Sequence, residues 1–260
     1  MKRSCFTAKE LFGMAYLMKK QKMYGIPDAM GAERNMTLQD VLDDLLSQNI
    51  AEMDIDGRIT LKSEYFPTVN IFCDCQKCLT VNVHTENMSE HSVIFWQQDA
   101  VFYMAEVIDD RYVLAQTDEE MVKAMVSGLL FGGDTRIAAY VDVIPQMSIV
   151  KAKRVCEKGD YSQAINLIRQ CGVSSDVCNV IVSGLCGNAY YLGLVYMDMR
   201  TGVCQKRESS FLGSNKTLLS LGQTTANLRT CATFTSVKRE EMHNDVKSLV
   251  NSFLDKGERQ

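Results

Sequence analysis

The stretch Arg111-Tyr-Val-Leu-Ala-Gln-Thr-Asp-Glu-Glu-Met121 changes from strand-like alternation to an acidic helix start. The stretch Ala232-Thr-Phe-Thr-Ser-Val-Lys-Arg-Glu-Glu-Met242 makes the same change near the end of the sequence. Each stretch closes a longer segment whose pattern predicts four strands followed by one amphipathic helix. This repetition predicts a duplicated architecture, because each half-sheet needs the other to bury its apolar face.

The strands are predicted from alternation of apolar and polar residues with a period of two. They are expected at 79–85, 92–98, 100–107 and 111–116, and again at 189–199, 203–211, 216–223 and 227–235. We therefore predict an α+β fold in which a quasi-two-fold duplicated antiparallel sheet is flanked by helices. An N-terminal half (1–135) and a C-terminal half (136–260) are expected to pack as one domain.

The first 65 residues predict two helices and a small hairpin. Thr7 and Glu10 have the spacing of a capping box, and Thr37 precedes a second helix with an apolar stripe. The pair Asp56-Gly57 between alternating apolar residues is typical of a hairpin turn. Helix, helix and hairpin in this order are typical of a winged helix.

A helical bridge is predicted between the two halves, and a long helix after them. Three short helices are expected at 148–157, 161–171 and 174–184, with Asp160 and either Ser174 or Ser175 as natural N-caps. The final helix is expected to run from Lys238 to about Leu254. The bridge and the final helix complete the elements that flank the predicted sheet.

The bulk composition is that of an ordinary soluble globular protein, with 46% hydrophobic and 23% charged residues. The N-terminus has no apolar run, so a signal peptide is not predicted. The charge-free stretch 177–197 contains Asn, Ser and Gly residues that make a membrane span improbable. Ten scattered cysteines in a chain of this length are typical of reduced thiols, and a cytoplasmic protein without membrane insertion is expected.

Cys73, Cys75 and Cys78 form the one cluster with the spacing of metal ligands. Zinc requires four ligands, and the fourth would have to be His84 or His91. The incomplete set favours reduced cysteines at the start of a sheet, so no metal site is predicted and zinc is left open.

No catalytic signature is present. The sequence has no Gly-x-Ser-x-Gly, and the glycines at 128–133 follow a predicted helix where a phosphate loop would precede one. The acidic pair Asp109-Asp110 lies in a predicted turn, where Asp is favoured for local backbone reasons. We expect a protein that is not an enzyme and has no catalytic residues and no cofactor.

Charge argues against nucleic acid as a partner. The net charge is −4, and the predicted helix at 37–49 carries three Asp and no basic residue. A winged-helix-containing transcriptional regulator with a C-terminal sensor or partner-binding domain stays the alternative. It would depend on Lys19, Lys20 and Lys22, the small basic cluster of this segment.

Several stretches resemble the EspG family, the cytosolic chaperones of type VII (ESX) secretion. The resembling stretches are Phe6-Thr-Ala-Lys-Glu-Leu11, Tyr24-Gly-Ile-Pro27, Glu157-Lys-Gly-Asp160 with its continuation to 164, Cys171-Gly-Val173, Leu185-Cys-Gly187 and Met197-Asp-Met-Arg-Thr-Gly202. The resemblance implies a quasi-two-fold antiparallel sheet, no cofactor, and binding of the apolar tip of helical secreted proteins. High Cys and Met content distinguishes the chain from actinobacterial members and indicates a divergent, Firmicutes-like branch.

The partner-binding residues are predicted from position along the chain. They are the loop Asn87, Met88, Ser89 and Glu90, the neighbouring Phe95 and Trp96, and the helix face with Met242, Val246 and Leu249. Phe95 and Trp96 occupy adjacent strand positions and point to opposite faces, so one of them is expected to be exposed. The expected partners are small helical secreted proteins of a type VII system, and a homodimer is left open.

Overall fold

The structure is a computed structural model of the chain, and it describes residues 5–26, 37–85, 88–130, 141–214, 217–226 and 229–255. Within these ranges the strands are β1 (Cys5–Thr7), β2 (Ala51–Met53), β3 (Ile59–Leu61), β4 (Lys77–Thr85), β5 (Met88–Gln98), β6 (Val101–Ile108), β7 (Arg111–Thr117), β8 (Val141–Pro145), β9 (Tyr190–Asp198), β10 (Gln205–Gly213), β11 (Leu218–Ala226) and β12 (Arg229–Ser236). The helices are α1 (Ala8–Leu17), α2 (Leu38–Ser47), α3 (Phe66–Cys73), α4 (Glu119–Gly128), α5 (Gln146–Cys156), α6 (Tyr161–Arg169), α7 (Ser175–Leu185) and α8 (Arg239–Leu254).

One antiparallel sheet runs through the whole molecule in the order β1-β7-β6-β5-β4-β9-β10-β11-β12-β8. Its two halves meet at the antiparallel pair β4 and β9, where Lys77 lies opposite Asp198 and His84 opposite Tyr191. Each half consists of an edge strand, a group of helices, a four-stranded meander and a closing helix. This arrangement confirms the predicted α+β fold with a duplicated sheet.

Helices cover the sheet differently on its two faces. The closing helices α4 and α8 pack over the centre of one face, here called the two-helix face. The opposite face carries α1–α3 on the first half and α5–α7 on the second, and is called the six-helix face. The alternation of burial along β4 reflects the two faces, since Leu79, Val81 and Val83 are buried under the two-helix face, whereas Thr80 and Asn82 point to the other face and are half-buried.

The predicted helix starts are confirmed by their caps. The Thr7 hydroxyl accepts from the amide of Glu10 at 3.1 Å, while the Glu10 carboxylate accepts from the amide of Thr7 at 2.8 Å. Thr37 and Asp40 form the same reciprocal pair at the start of α2. The hairpin β2–β3 turns at Gly57, as its sequence predicts.

Three elements were not predicted from the sequence. Strands β1 and β8 are edge strands of three and five residues, which is too short for a clear alternation. Helix α3 has five buried residues out of eight and no solvent face with a helical period, so its sequence looks like any short apolar run. Pro67 in its first turn supplies a backbone angle suited to a helix start.

The charge-free stretch 177–197 is divided between α7 and β9, which are joined at Gly187 with a φ of +73°. Among the described residues, no helix has both the length and the apolar character that crossing a bilayer requires. The expected boundary between the halves, at 135/136, falls in 131–140 and therefore lies outside the described ranges. The division into these two halves stays a prediction.

Candidate partner-binding surface

Phe95 and Trp96 do point to opposite faces of β5, but both side chains are completely buried. Phe95 lies 6.3 Å from Phe253 of α8, measured between ring centroids. The Trp96 indole donates to the carbonyl oxygen of Tyr24 at 2.8 Å. The expectation that one of them is exposed is therefore corrected, because helices or loops cover the sheet on both sides at this point.

The predicted helix face of Met242, Val246 and Leu249 is also internal, with at most 2% of each residue exposed. These side chains hold α8 against the two-helix face of the sheet. They act as core residues in the folded chain and are not accessible to a partner. Of the predicted loop, Asn87 lies outside the described residues, Met88, Ser89 and Glu90 begin β5, and Glu90 is exposed.

A stripe of small and polar residues crosses the centre of the six-helix face, between the two groups of helices. In one row Ser92, Asn82, Gly193 and Ser210 lie side by side on β5, β4, β9 and β10. The Ser92 hydroxyl donates to Oδ1 of Asn82 at 2.7 Å. Ser92, Asn82 and Ser210 are half-buried, whereas Gly193 is buried under the Tyr191 hydroxyl, which also lies 3.5 Å from that of Ser210. The stripe is therefore accessible to a partner mainly at Ser92 and Asn82.

A groove of about 500 Å³ begins at this stripe and extends over the first half of the sheet. Its floor is polar, one wall is apolar and its outer edge is acidic. The lining residues are Gly25, Thr80, Asn82, Glu90, Ser92, Ile94, Val107, Asp109, Asp110 and Tyr112. A concave site that combines apolar walls with a few polar groups is typical of a binding site.

The acidic edge of the groove is held by a tight turn. Asp109 and Asp110 form the two-residue loop between β6 and β7, and their φ values are +47° and +59°. A type I′ hairpin turn requires positive φ at both positions, which Asp tolerates better than most residues. The sequence predicts this turn correctly. Its place at the edge of a groove depends on strands that are distant in sequence.

Gly25 closes one end of the groove. Its φ is +79°, and a Cβ atom there would lie 2.6 Å from Cγ2 of Ile94 and 3.0 Å from Sγ of Cys78. Only glycine therefore lets the loop after α1 approach the sheet so closely. The neighbouring amide of Tyr24 donates to the carbonyl oxygen of Phe72 at 2.9 Å, which fixes the loop in place.

The three clustered cysteines do not line the groove. Burial raises the pKa of Cys73 and of Cys78 to about 12, and it also raises the pKa of Cys75, so all three remain thiols at neutral pH. His84, one expected fourth ligand, has its Nε2 against the carbonyl oxygen of Gly187. In the described part of the chain, no three His, Cys, Asp or Glu side chains are arranged to hold a metal ion.

No protein-family model and no curated protein matches this sequence. Among solved structures, the fold is similar to that of the Mycobacterium tuberculosis type VII secretion system chaperone EspG5, determined in complex with a PE25–PPE41 dimer. The TM-score is 0.50, the sequence identity is 9%, and the alignment covers 95% of each chain. The chain therefore has an EspG-like fold along nearly its whole length.

Proposed function

We propose that the protein is a cytosolic chaperone that binds helical secreted proteins of a type VII system and keeps them soluble before export. The observation that carries this proposal is the likeness of fold over 95% of both chains to a type VII secretion system chaperone that was solved in complex with a PE25–PPE41 dimer. A match over 95% of the chain includes the sheet and both helical groups, so it concerns more than one common motif.

The groove and the polar stripe of the six-helix face supply a physical basis for this function. A helical protein with an apolar tip aggregates when that tip is in water, and a concave surface that covers the tip prevents this. Val107 is half-buried and offers apolar contact above the buried Ile94 and Tyr112, while Thr80 and Asn82 offer hydrogen bonds. A site with mixed character favours reversible binding, which a chaperone needs in order to release its partner.

The residues that line the groove now take the place of those predicted from position along the chain as the proposed contact residues. Of the earlier candidates whose side chains the structure describes, Glu90 lines it. We propose that Glu90, Ser92, Val107 and the Asp109-Asp110 turn contact the partner. Phe95, Trp96 and the inner face of α8 support the site from within the core.

The experiment is co-expression of the chain with small helical proteins from the same locus, followed by size-exclusion chromatography with light scattering. We expect a stoichiometric complex, and the same measurement on the chain alone decides whether it forms a homodimer. In the complex, Ser92→Tyr fills the groove and should weaken binding at least tenfold. Thr224→Tyr is the matched control, because Thr224 is an exposed strand residue on the opposite, two-helix face.

Two results would contradict the proposal: no helical secreted protein co-purifies, or Ser92→Tyr binds as tightly as the unchanged chain while retaining its melting temperature. A salt-dependent DNA complex would instead favour the regulator. The charges give that alternative no support, since Asp43 and Asp44 are exposed on α2, the helix that would enter the major groove.

A further inference from the structure

A second concavity lies at the C-terminal end of α1 and is separate from the groove. It has a volume of about 260 Å³, and no residue lines both sites. Phe12, Tyr16 and Met23 give it apolar walls, while Lys20 and Lys22 stand at its rim. Tyr16 is 48% exposed, which is high for a large aromatic residue on a helix that packs against the core. This site is called the α1 pocket.

The backbone that carries the rim is held in a conformation that is unfavourable for its residue. Lys19 has a φ of +58°, whereas the other non-glycine residues with positive φ in the described ranges are Asn or Asp. The amides of Lys19 and Lys20 donate to the carbonyl oxygens of Tyr16 and Ala15, each at 2.9 Å, in the pattern of a Schellman motif. Glycine adopts this backbone conformation without strain, whereas Lys19 adopts it at a cost in conformational energy.

The α1 pocket carries a local excess of positive charge on a chain whose net charge is −4. Lys20 is paired with Asp74. Neither Lys19 nor Lys22 forms an ion pair with any residue of the described ranges. The ammonium group of Lys22 at the cavity, with that of Lys19 three positions before it in the chain, is complementary to carboxylates that flank an apolar side chain.

We infer that the α1 pocket binds a peptide segment of a partner protein in which one large apolar side chain lies next to carboxylates. The cavity has room for one such side chain, and Lys22, which lines it, can pair with a carboxylate next to that side chain. A concave pocket for one side chain fits a peptide better than a flat lipid surface. This second site goes beyond the proposed function, because it recognises a different chemistry from the groove with its acidic edge.

The test is an NMR titration of the full chain with ¹³C-labelled methionine methyl groups. The probe is an acetylated and amidated hexapeptide, a Phe-Leu pair with two acidic residues on each side. The Met23 methyl signal is expected to shift, whereas the signal of Met242, which is buried on the inner face of α8, should not move. A peptide with Lys in place of every acidic residue should cause no shift, and the affinity for the acidic peptide should fall as salt is added.

Substitutions at the α1 pocket test whether the peptide binds there. Lys22→Glu is expected to weaken peptide binding at least tenfold, and Tyr16→Ala at least fivefold by removing apolar contact. Lys247→Glu is the matched control, since Lys247 is exposed on α8 and the net charge changes equally. It should alter the affinity less than twofold. Thermal unfolding of each variant verifies that the fold is intact.

The inference is overturned if Met23 does not respond, if the basic peptide binds equally well, or if Lys22→Glu changes nothing. Lysine-dependent binding to vesicles with phosphatidylserine, without binding of the peptide, would also overturn it and assign the surface to a membrane. The complex with a helical secreted protein should survive in Lys22→Glu. Failure of this inference is thus distinct from failure of the proposed function, which Ser92→Tyr tests.

Discussion

The two halves of the sheet share one order of elements but differ in how their closing helices contribute to stability. Helix α4 has ten residues, of which Val122 and Val126 are buried. Helix α8 has sixteen residues, and six of them are buried in the core of the two-helix face. The comparison shows that a repeated topology does not imply repeated energetics, because one long helix covers the junction of both halves.

The difference between the two closing helices arises in part from Lys77, a residue of the first half. Lys77 of β4 is completely buried, and its ammonium group donates to the carbonyl oxygens of Ser252 at 2.9 Å, Phe253 at 3.2 Å and also Asp255. These carbonyls end α8 and have no partner within the helix. A residue of the first half therefore caps the closing helix of the second. Helix α4 ends at Gly128 with backbone bonds such as the amide of Leu129 to Met125.

The largest effect is expected from truncating the anchor of α8. Phe253 is fully buried and contacts Phe102 with ring centroids 5.7 Å apart, so Phe253→Ala should lower the free energy of unfolding by about 3–5 kcal/mol. Val126→Ala, the corresponding change in α4, should lower it by about 2 kcal/mol. Urea unfolding measures both values. Equal losses would show that the two helices contribute alike.

Removal of the cap is the next largest effect. Lys77→Met keeps the aliphatic part of the side chain but removes the donor to the carbonyls of Phe253 and Asp255, while Ser252 keeps the Tyr196 hydroxyl at 3.2 Å. We expect a cost of about 2–3 kcal/mol. Lys123→Met on α4 is the control, because Lys123 is exposed and should change stability by less than about 0.5 kcal/mol. Hydrogen exchange should show faster opening at the end of α8 in Lys77→Met. Unchanged exchange there would contradict the role of Lys77.

Alkaline pH should affect the buried cysteines of the first half. Burial raises the pKa of Cys73 and Cys78 to about 12, so above pH ~9 only the unfolded chain releases these protons. Their contribution to stability is complete below that pH and is lost as the pH rises towards 12, by about 1.4 kcal/mol per pH unit for each thiol. Urea unfolding in reducing buffer from pH 8 to 10.5 measures the slope.

The double variant Cys73→Ala/Cys78→Ala should have the shallower slope over this range, because the other ionising groups are common to both proteins. Cys204→Ala serves as the control, since Cys204 is exposed. If the double variant and the unchanged chain lose stability in parallel, the alkaline effect has another origin.

The smallest effect is expected at the residues that follow helices α1 and α2. Helices α1 and α2 are both followed by a residue with positive φ, Lys19 at +58° and Asn49 at +59°. Lys19→Gly should raise the free energy of unfolding by about 0.5–1 kcal/mol, because glycine adopts this conformation without strain. Asn49→Gly should change it by only a few tenths of a kcal/mol, roughly, since Asn tolerates it. Thermal unfolding of both variants measures these changes. A loss of stability in Lys19→Gly would show that the lysine side chain contributes to the stability of the fold.

Much of the fold was predictable because local patterns follow from backbone geometry. The alternation in 79–85 and 190–198 follows from the pleat of a strand, and the caps at Thr7 and Thr37 follow from unpaired amides at a helix start. Helix α3 was not predictable in this way, because an element buried on most sides lacks a polar face. The alternation also placed Phe95 and Trp96 on opposite faces correctly.

The candidate site was much less predictable. The Asp109-Asp110 turn has a clear local signal, but the groove beside it is lined by β4, β5, β6, β7 and the loop at Gly25. Phe95 and Trp96 looked available to a partner only because nothing local shows that α8 and the loop after α1 cover them. Exposure is a property of the packed chain, so pattern alone cannot assign it.

By itself the amino-acid sequence determined most of the secondary structure and the duplication, since these depend on propensities and periods within a few residues, and the resemblance of several stretches to the EspG family indicated the order of elements. Only the tertiary structure decided which faces are covered, where the groove and the α1 pocket lie, and that Lys77 is a buried cap. The physical reason is that burial arises from contacts between residues far apart in the chain. The ammonium of Lys77 and the carbonyl of Ser252, 175 positions apart, meet at 2.9 Å only after the two halves have joined.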